Sequence, residues 1–113
     1  MQISTQTVQD VLVVGLSGRL DSHTVGDVGD RIAAIGTGDA KRVLLNLSGL
    51  DYVSSAGLRI VLRLSRLLQS HGGELKVSDA QPMVAQVLET AGFDSLLRIH
   101  ATQDQALAAF SGG

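Results

Sequence analysis

The chain has no cysteine and no tryptophan, and only one proline among its 113 residues. Without cysteine there is no disulfide framework, no thiolate nucleophile and no thiolate-bound zinc. The sequence is compatible with a reducing compartment, and the expected location is the cytoplasm. Aromatic residues make up 3% of the chain, so aliphatic side chains must fill any core, and rings are too few for a base-stacking platform. Charge of one sign is also lacking. A formal net charge of −2 is far from the basic footprint of a nucleic-acid binder. No apolar run reaches the roughly 18 residues that suggest a membrane-spanning helix. Met1-Gln2-Ile3-Ser4-Thr5 lacks the basic-then-apolar pattern of a signal peptide. Neither nucleic-acid binding nor direct membrane insertion is expected.

What is present is an apolar fraction of 44%, arranged in short periodic segments. The length suits one domain over residues 1–113. A chain of this size buries roughly 65% of its unfolded surface, enough for one sizeable core. Residues 3–8 alternate partially and residues 11–16 form a strong apolar run. With Gln9-Asp10 between them they read as a β-hairpin. Val25, Val28, Ile32 and Ile35 recur at helical spacing and predict a helix over about 23–35. Asp21 or Ser22 would cap it and Gly36 and Gly38 would end it. Gly26 and Gly29 either allow close packing of that helix or soften it.

Residues 43–47 form a nearly continuous apolar run, and 42–47 reads as a strand buried on both faces. A loop over 48–55 and a long helix to about residue 70 follow. His71-Gly72-Gly73 ends that helix, residues 74–77 alternate as a strand, and Pro82 suits the first turn of the next helix. Val84, Val87, Leu88 and Ala91 give this helix an apolar stripe, and Gly92 a stop. Residues 96–99 read as a weak strand. Thr102 with Gln105 resembles a capping box before a final helix, and the tail 111–113 is expected to fray. The order ββαβαβαβα predicts an α/β fold with a mixed sheet, parallel in its later part, and about four helices.

Chemistry concentrates at Asp51-Tyr52-Val53-Ser54-Ser55-Ala56-Gly57-Leu58. At 3.6 residues per turn Arg59, Arg63, Arg66 and Ser70 form one narrow stripe, with leucine, isoleucine and valine around the remaining circumference. One turn back, Ser55 falls on the stripe beside Arg59 and Ser54 falls off it. Ser55 is then the exposed hydroxyl and Ser54 the inward or capping one. A helix N-terminus favours an anion, and Arg59 four residues on could pair with a phosphate at Ser55. The plainer alternative is that both serines cap the helix and the arginines solvate it.

A hydrolase built on Ser55, a histidine and Asp21 or Asp51 lacks the G-x-S-x-G elbow. His23, His71 and His100 are isolated in sequence, and no pair has metal-ligand spacing. No glycine loop precedes a lysine to cradle phosphates. Hence no metal, no cofactor and no catalytic activity are expected.

These residues resemble the STAS domain family, in particular the small single-domain anti-sigma factor antagonists of bacterial partner-switching systems. The resemblance is carried by Gly18-Arg19-Leu20-Asp21-Ser22-His23-Thr24, similar to the family's G-x-L-D-x-x-T. It extends through the 43–47 strand, the 50–58 segment, the His71-Gly72-Gly73 turn and Gly92-Phe93. It implies the STAS fold and a role in signal transduction and transcription regulation. In that family, the serine two residues before the glycine of D-S-S/T-G-L is phosphorylated by the partner anti-sigma factor, a serine kinase of the histidine-kinase-like ATPase fold. The matching position here is Ser55. Ser54 stands where the family often has aspartate, and Ala56 where it often has serine or threonine.

The implied partners are an anti-sigma factor that is also a serine kinase, and a serine phosphatase. The chain alone is expected to be a monomer. The implied contact surface is Asp21, Thr24, Ser54, Ala56, Gly57, Arg59 and Arg63, with helix capping as the alternative role of Asp21 and Thr24. A constitutive binding subunit of a lipid-transport or stress-signalling complex, without phosphorylation, is the rival reading.

Overall fold

The computed structural model describes residues 1–111. Strands β1 (Gln2–Val8) and β2 (Val11–Leu20) form the N-terminal hairpin. They are followed by α1 (Val25–Gly36), β3 (Arg42–Val53), α2 (Ser55–Gln69), β4 (Glu74–Ser78) and α3 (Pro82–Thr90). A 3₁₀ turn (Phe93–Ser95), β5 (Arg98–His100) and α4 (Gln103–Ser111) complete the chain. The order ββαβαβαβα and the mixed sheet agree with the sequence reading. Of the tail expected to fray, Ser111 is the last residue of α4, and Gly112 and Gly113 lie outside the described residues.

The five strands lie in sequence order, β1-β2-β3-β4-β5. Only the hairpin pair is antiparallel; every later pair is parallel. Parallel crossovers share one hand, so a sheet that advances in one direction puts α1, α2 and α3 on the same face. The packing agrees. Val14, Leu45 and Val77 of the sheet share one core with Ile32, Leu64 and Leu88 of those helices. On the other face α4 packs, with Ala106 and Phe110 against Val11, Val13 and Leu44. Lys76 also points to the α4 face, 5% exposed, its ammonium 5.0 Å from the Phe110 ring centroid.

Three expectations need correction. The strand predicted over 42–47 continues to Val53, replacing most of the loop expected over 48–55. From Gly15 to Leu20, β2 advances five residues while β3 advances seven, from Asn46 to Val53. Two bulges therefore put buried Leu47, Leu50 and Val53 three residues apart, which hides the two-residue alternation of a strand. The strand expected over 96–99 begins at Arg98, because residues 93–95 form the 3₁₀ turn and Leu96 is 56% exposed. Neither Asp21 nor Ser22 caps α1. Its N-cap position is Thr24, and no side chain bonds there as a cap.

Candidate functional site

Helix α2 forms because its apolar residues recur every three to four positions. Leu58, Val61, Leu64 and Leu68 are buried, each contributing roughly 1.5–3 kcal/mol by leaving water. Ser54 is its N-cap, in an extended conformation, with its hydroxyl accepting the Gly57 N–H at 3.2 Å. The Ser54 N–H donates to the Leu20 carbonyl at 2.9 Å, tying the start of α2 to the end of β2. A Cβ on Gly57 would lie 2.8 Å from Leu20 Cγ and 2.9 Å from Val53 Cγ2. Only glycine lets the first turn of α2 sit this close to the strand ends.

Ser55, one residue on, is exposed, and its hydroxyl has no hydrogen-bond partner among the described residues. Arg59, Arg63 and Arg66 are exposed along the same stripe, none in an ion pair among the described residues. Ala56 is half-buried and Gly57 buried. The division of roles expected from the helical wheel, Ser54 capping and Ser55 exposed, is therefore present.

The 21–24 turn lies at the same end of the sheet, directly after β2. Its shape is set by its own side chains. The Asp21 N–H donates to the Thr24 hydroxyl oxygen at 3.0 Å, and that hydroxyl donates to the Arg19 carbonyl at 2.9 Å. Asp21 Oδ1 accepts the His23 N–H at 2.9 Å, and this bond, more than any other cause, holds its carboxyl below the ordinary carboxylate value. Arg19 Nε lies 3.6 Å from Asp21 Oδ2, and the guanidinium stacks 4.4 Å from the Tyr52 ring centroid. Asp21 and Thr24 thus build a turn, with Thr24 fully occupied inside it.

The histidines are dispersed. His23 is in this turn, His71 Nε2 contacts the Gly36 carbonyl at 2.7 Å at the far end of α1, and His100 ends β5. Ser55 bonds to none of them. Among the described residues no group of three or more His, Cys, Asp or Glu could hold a metal ion. Among the described residues no helix is long and apolar enough to cross a membrane.

One feature had no single-sequence signal. Beside Ser55, between α2 and α3, runs a groove of about 490 Å³. Val53, Leu58 and Val87 line it, with Tyr52 and Met83 also lining it at 37% and 64% exposure. Met83, Gln86, Val87 and Thr90 of α3, with Ala91 just after it, follow helical spacing. Val87 reads as core from the sequence, yet it is only half-buried and belongs to this groove.

The chain matches the STAS domain family over residues 2–106. It is 34% identical over 110 residues to BtrV of Bordetella bronchiseptica, whose assignment as an anti-sigma factor antagonist is provisional; the alignment covers 97% of this chain and 95% of that protein. It is 32% identical over 108 residues to the anti-sigma F factor antagonist of Paenibacillus polymyxa, covering 95% and 92%. The fold matches that of the anti-sigma factor antagonist SpoIIAA in its unphosphorylated form (TM-score 0.79, 24% identity, 99% and 98% covered). It also matches the Bacillus cell fate determinant SpoIIAA in its phosphorylated form (TM-score 0.71, 23% identity, 96% and 99% covered). With its sheet order, its capped α2 and these relatives, the chain belongs to the STAS domain family and, within it, to the anti-sigma factor antagonists.

Proposed function

We propose that this chain is the switch component of a partner-switching pair. Unphosphorylated, it binds an anti-sigma factor that is also a serine kinase and so frees the sigma factor; phosphorylation of Ser55 releases it. The observation that carries the reading is the unequal fate of two adjacent serines. Ser54 is committed to the helix cap, whereas Ser55 is exposed and unbonded at the positive end of a 15-residue helix. The kinase transfers the γ-phosphoryl group of ATP to Ser55 Oγ; ADP leaves and the hydroxyl proton passes to a base of the kinase. A serine phosphatase hydrolyses the ester and resets the switch. This chain supplies the acceptor and performs no catalysis.

Phosphorylation adds about −1.5 to −2 charges at the contact. A loss of only ~3 kcal/mol weakens binding more than a hundredfold. Arg59 and Arg63, one and two turns along α2 from the acceptor, are direct contacts for the partner. Ser54, Ala56, Gly57, Asp21 and Thr24 shape the surface by fixing the first turn of α2 and the turn after β2. The departure from the family's aspartate at Ser54 leaves this local structure intact, because serine and aspartate are both strong N-caps.

The reading is tested by intact-protein mass after incubation with the candidate anti-sigma kinase and ATP. A gain of one phosphoryl group, roughly 80 Da, is expected in wild type and not in Ser55→Ala. No gain while the complex still forms would replace the switch with constitutive binding. A gain in both proteins would move the acceptor to another hydroxyl, Ser54 first.

A further inference from the structure

We propose that the α2–α3 groove is the seat for an acidic amphipathic segment of the binding partner, with Ser55 at the corner where its two faces are recognised. This inference rests on the partner-switch reading and specifies the chemistry of the partner. The groove lining carries no charged side chain; Val53, Leu58 and Val87 line it, together with the exposed Met83 and Tyr52. Its shape and chemistry suit an apolar anchor. Along the solvent side of α2, Arg59, Arg63 and Arg66 are exposed, Arg63 also bordering the small cleft toward α1, and the helix has no acidic residue.

Among the described residues no carboxylate, including Asp27 and Asp30 of the neighbouring α1, forms an ion pair with this ribbon. Asp21 faces Arg19, Asp51 accepts from Gln81 Nε2 at 3.4 Å, and Glu89 of α3 is outside the lining. A segment that places apolar side chains in the groove and carboxylates over the arginines satisfies both surfaces at once. Ser55 lines the groove and begins the arginine stripe. A phosphate there acts twice: it repels the carboxylates, and it draws Arg59 into an internal pair. Release then follows from charge at the junction, with no change of fold.

The probe is a 16-residue helical peptide with leucine on one face and glutamate on the other, compared with its lysine-for-glutamate counterpart. Binding to the full chain is followed by fluorescence anisotropy and amide chemical shifts. The acidic peptide is expected to bind at least tenfold more tightly than the basic one. Met83→Glu should weaken it tenfold or more. Leu96→Glu, which makes the same charge change at an exposed leucine outside the groove, should leave it unchanged. The double variant Arg59→Glu, Arg63→Glu should reverse the preference between the peptides.

Equal affinity for the two peptides, no binding of the acidic one at millimolar concentration, or indistinguishable effects of Met83→Glu and Leu96→Glu would overturn the inference. So would a wild-type dimer that Met83→Glu converts to monomer, since the groove would then belong to a second copy. The Ser55 mass shift is a separate observable, so the groove can fail while the switch stands.

Discussion

Ser54 and Gly57 depend on each other. The Ser54 hydroxyl takes the Gly57 N–H at 3.2 Å, and Gly57 in turn fits against Leu20 and Val53 with no space for a Cβ. This pair fixes the first turn of α2 and leaves Ser55 as the free hydroxyl.

Removing the cap should therefore separate two neighbouring serines by stability alone. Ser54→Ala is expected to cost about 1 kcal/mol, and Ser55→Ala to stay within about 0.5 kcal/mol. Ser54→Asp keeps a capping oxygen and should match wild type. Urea denaturation of the three variants decides it; equal losses at both serines would show that the cap is not specific to Ser54.

Gly57→Ala opposes two effects of known size. Helix propensity alone favours alanine by about 1 kcal/mol. The contacts below 3.0 Å to Leu20 and Val53 act the other way, and overpacking of this kind costs about 1–3 kcal/mol. The net expectation is a destabilised protein with α2 displaced from the strand ends. An unchanged or raised Tm would mean that the strand ends yield freely.

The glycines of α1 should divide by position. A Cβ on Gly26 meets nothing within 4 Å, and one on Gly29 makes only a 3.4 Å contact with Ile60 Cδ1. Gly26→Ala and Gly29→Ala should each stabilise by up to about 1 kcal/mol. A Cβ on Gly36 would press on Leu67 at 3.0 Å, so Gly36→Ala should destabilise. Thermal unfolding of the three variants tests the order, and a stabilising Gly36→Ala would contradict the close approach of α1 and α2.

His100 predicts a pH dependence. Burial first, then Lys76 and Arg98, hold its pKa below the ordinary value of 6.5, and its Nε2 is buried without a hydrogen-bond partner among the described residues. The unfolded chain protonates here near pH 6.5, and the folded chain only at lower pH. This contribution to stability is complete above pH 6.5 and is lost as pH falls through the folded pKa. His100→Gln should flatten the stability profile below pH 6.5. Asp21, lowered from 3.8, contributes stability that is present above pH 3.8 and is lost as pH falls through its folded pKa. Parallel profiles for wild type and His100→Gln would remove His100 as the source.

Where periodicity is local and unbroken, the sequence is a sufficient guide. The hairpin, α2 with its buried leucines, and Pro82 at the start of α3 all follow from spacing and caps. The distal half of β3 escapes because its two bulges space the inward residues by three, a spacing that no strand template contains. Asp21 and Thr24 escape differently. Both are good capping residue types, and only the hydrogen bonds show them building a turn. The contrast between Ser54 and Ser55 was legible because one helical wheel contains both. The groove was not, because Tyr52 and Met83 are brought together by the fold rather than by any shared segment.

The spatial order of the strands repeats their order along the chain. During synthesis each new strand after the first therefore finds its neighbour already made. No strand must wait for a segment still inside the ribosome, and the contacts that assemble the sheet stay short in sequence, the condition for rapid folding. The exception is the second face. Leu44 and Val11 await Ala106 and Phe110, so α4, which emerges after all five strands, covers an apolar surface that is exposed until then. Truncation within α4 would leave a chain with its Ser55 end assembled and its opposite sheet face open to aggregation.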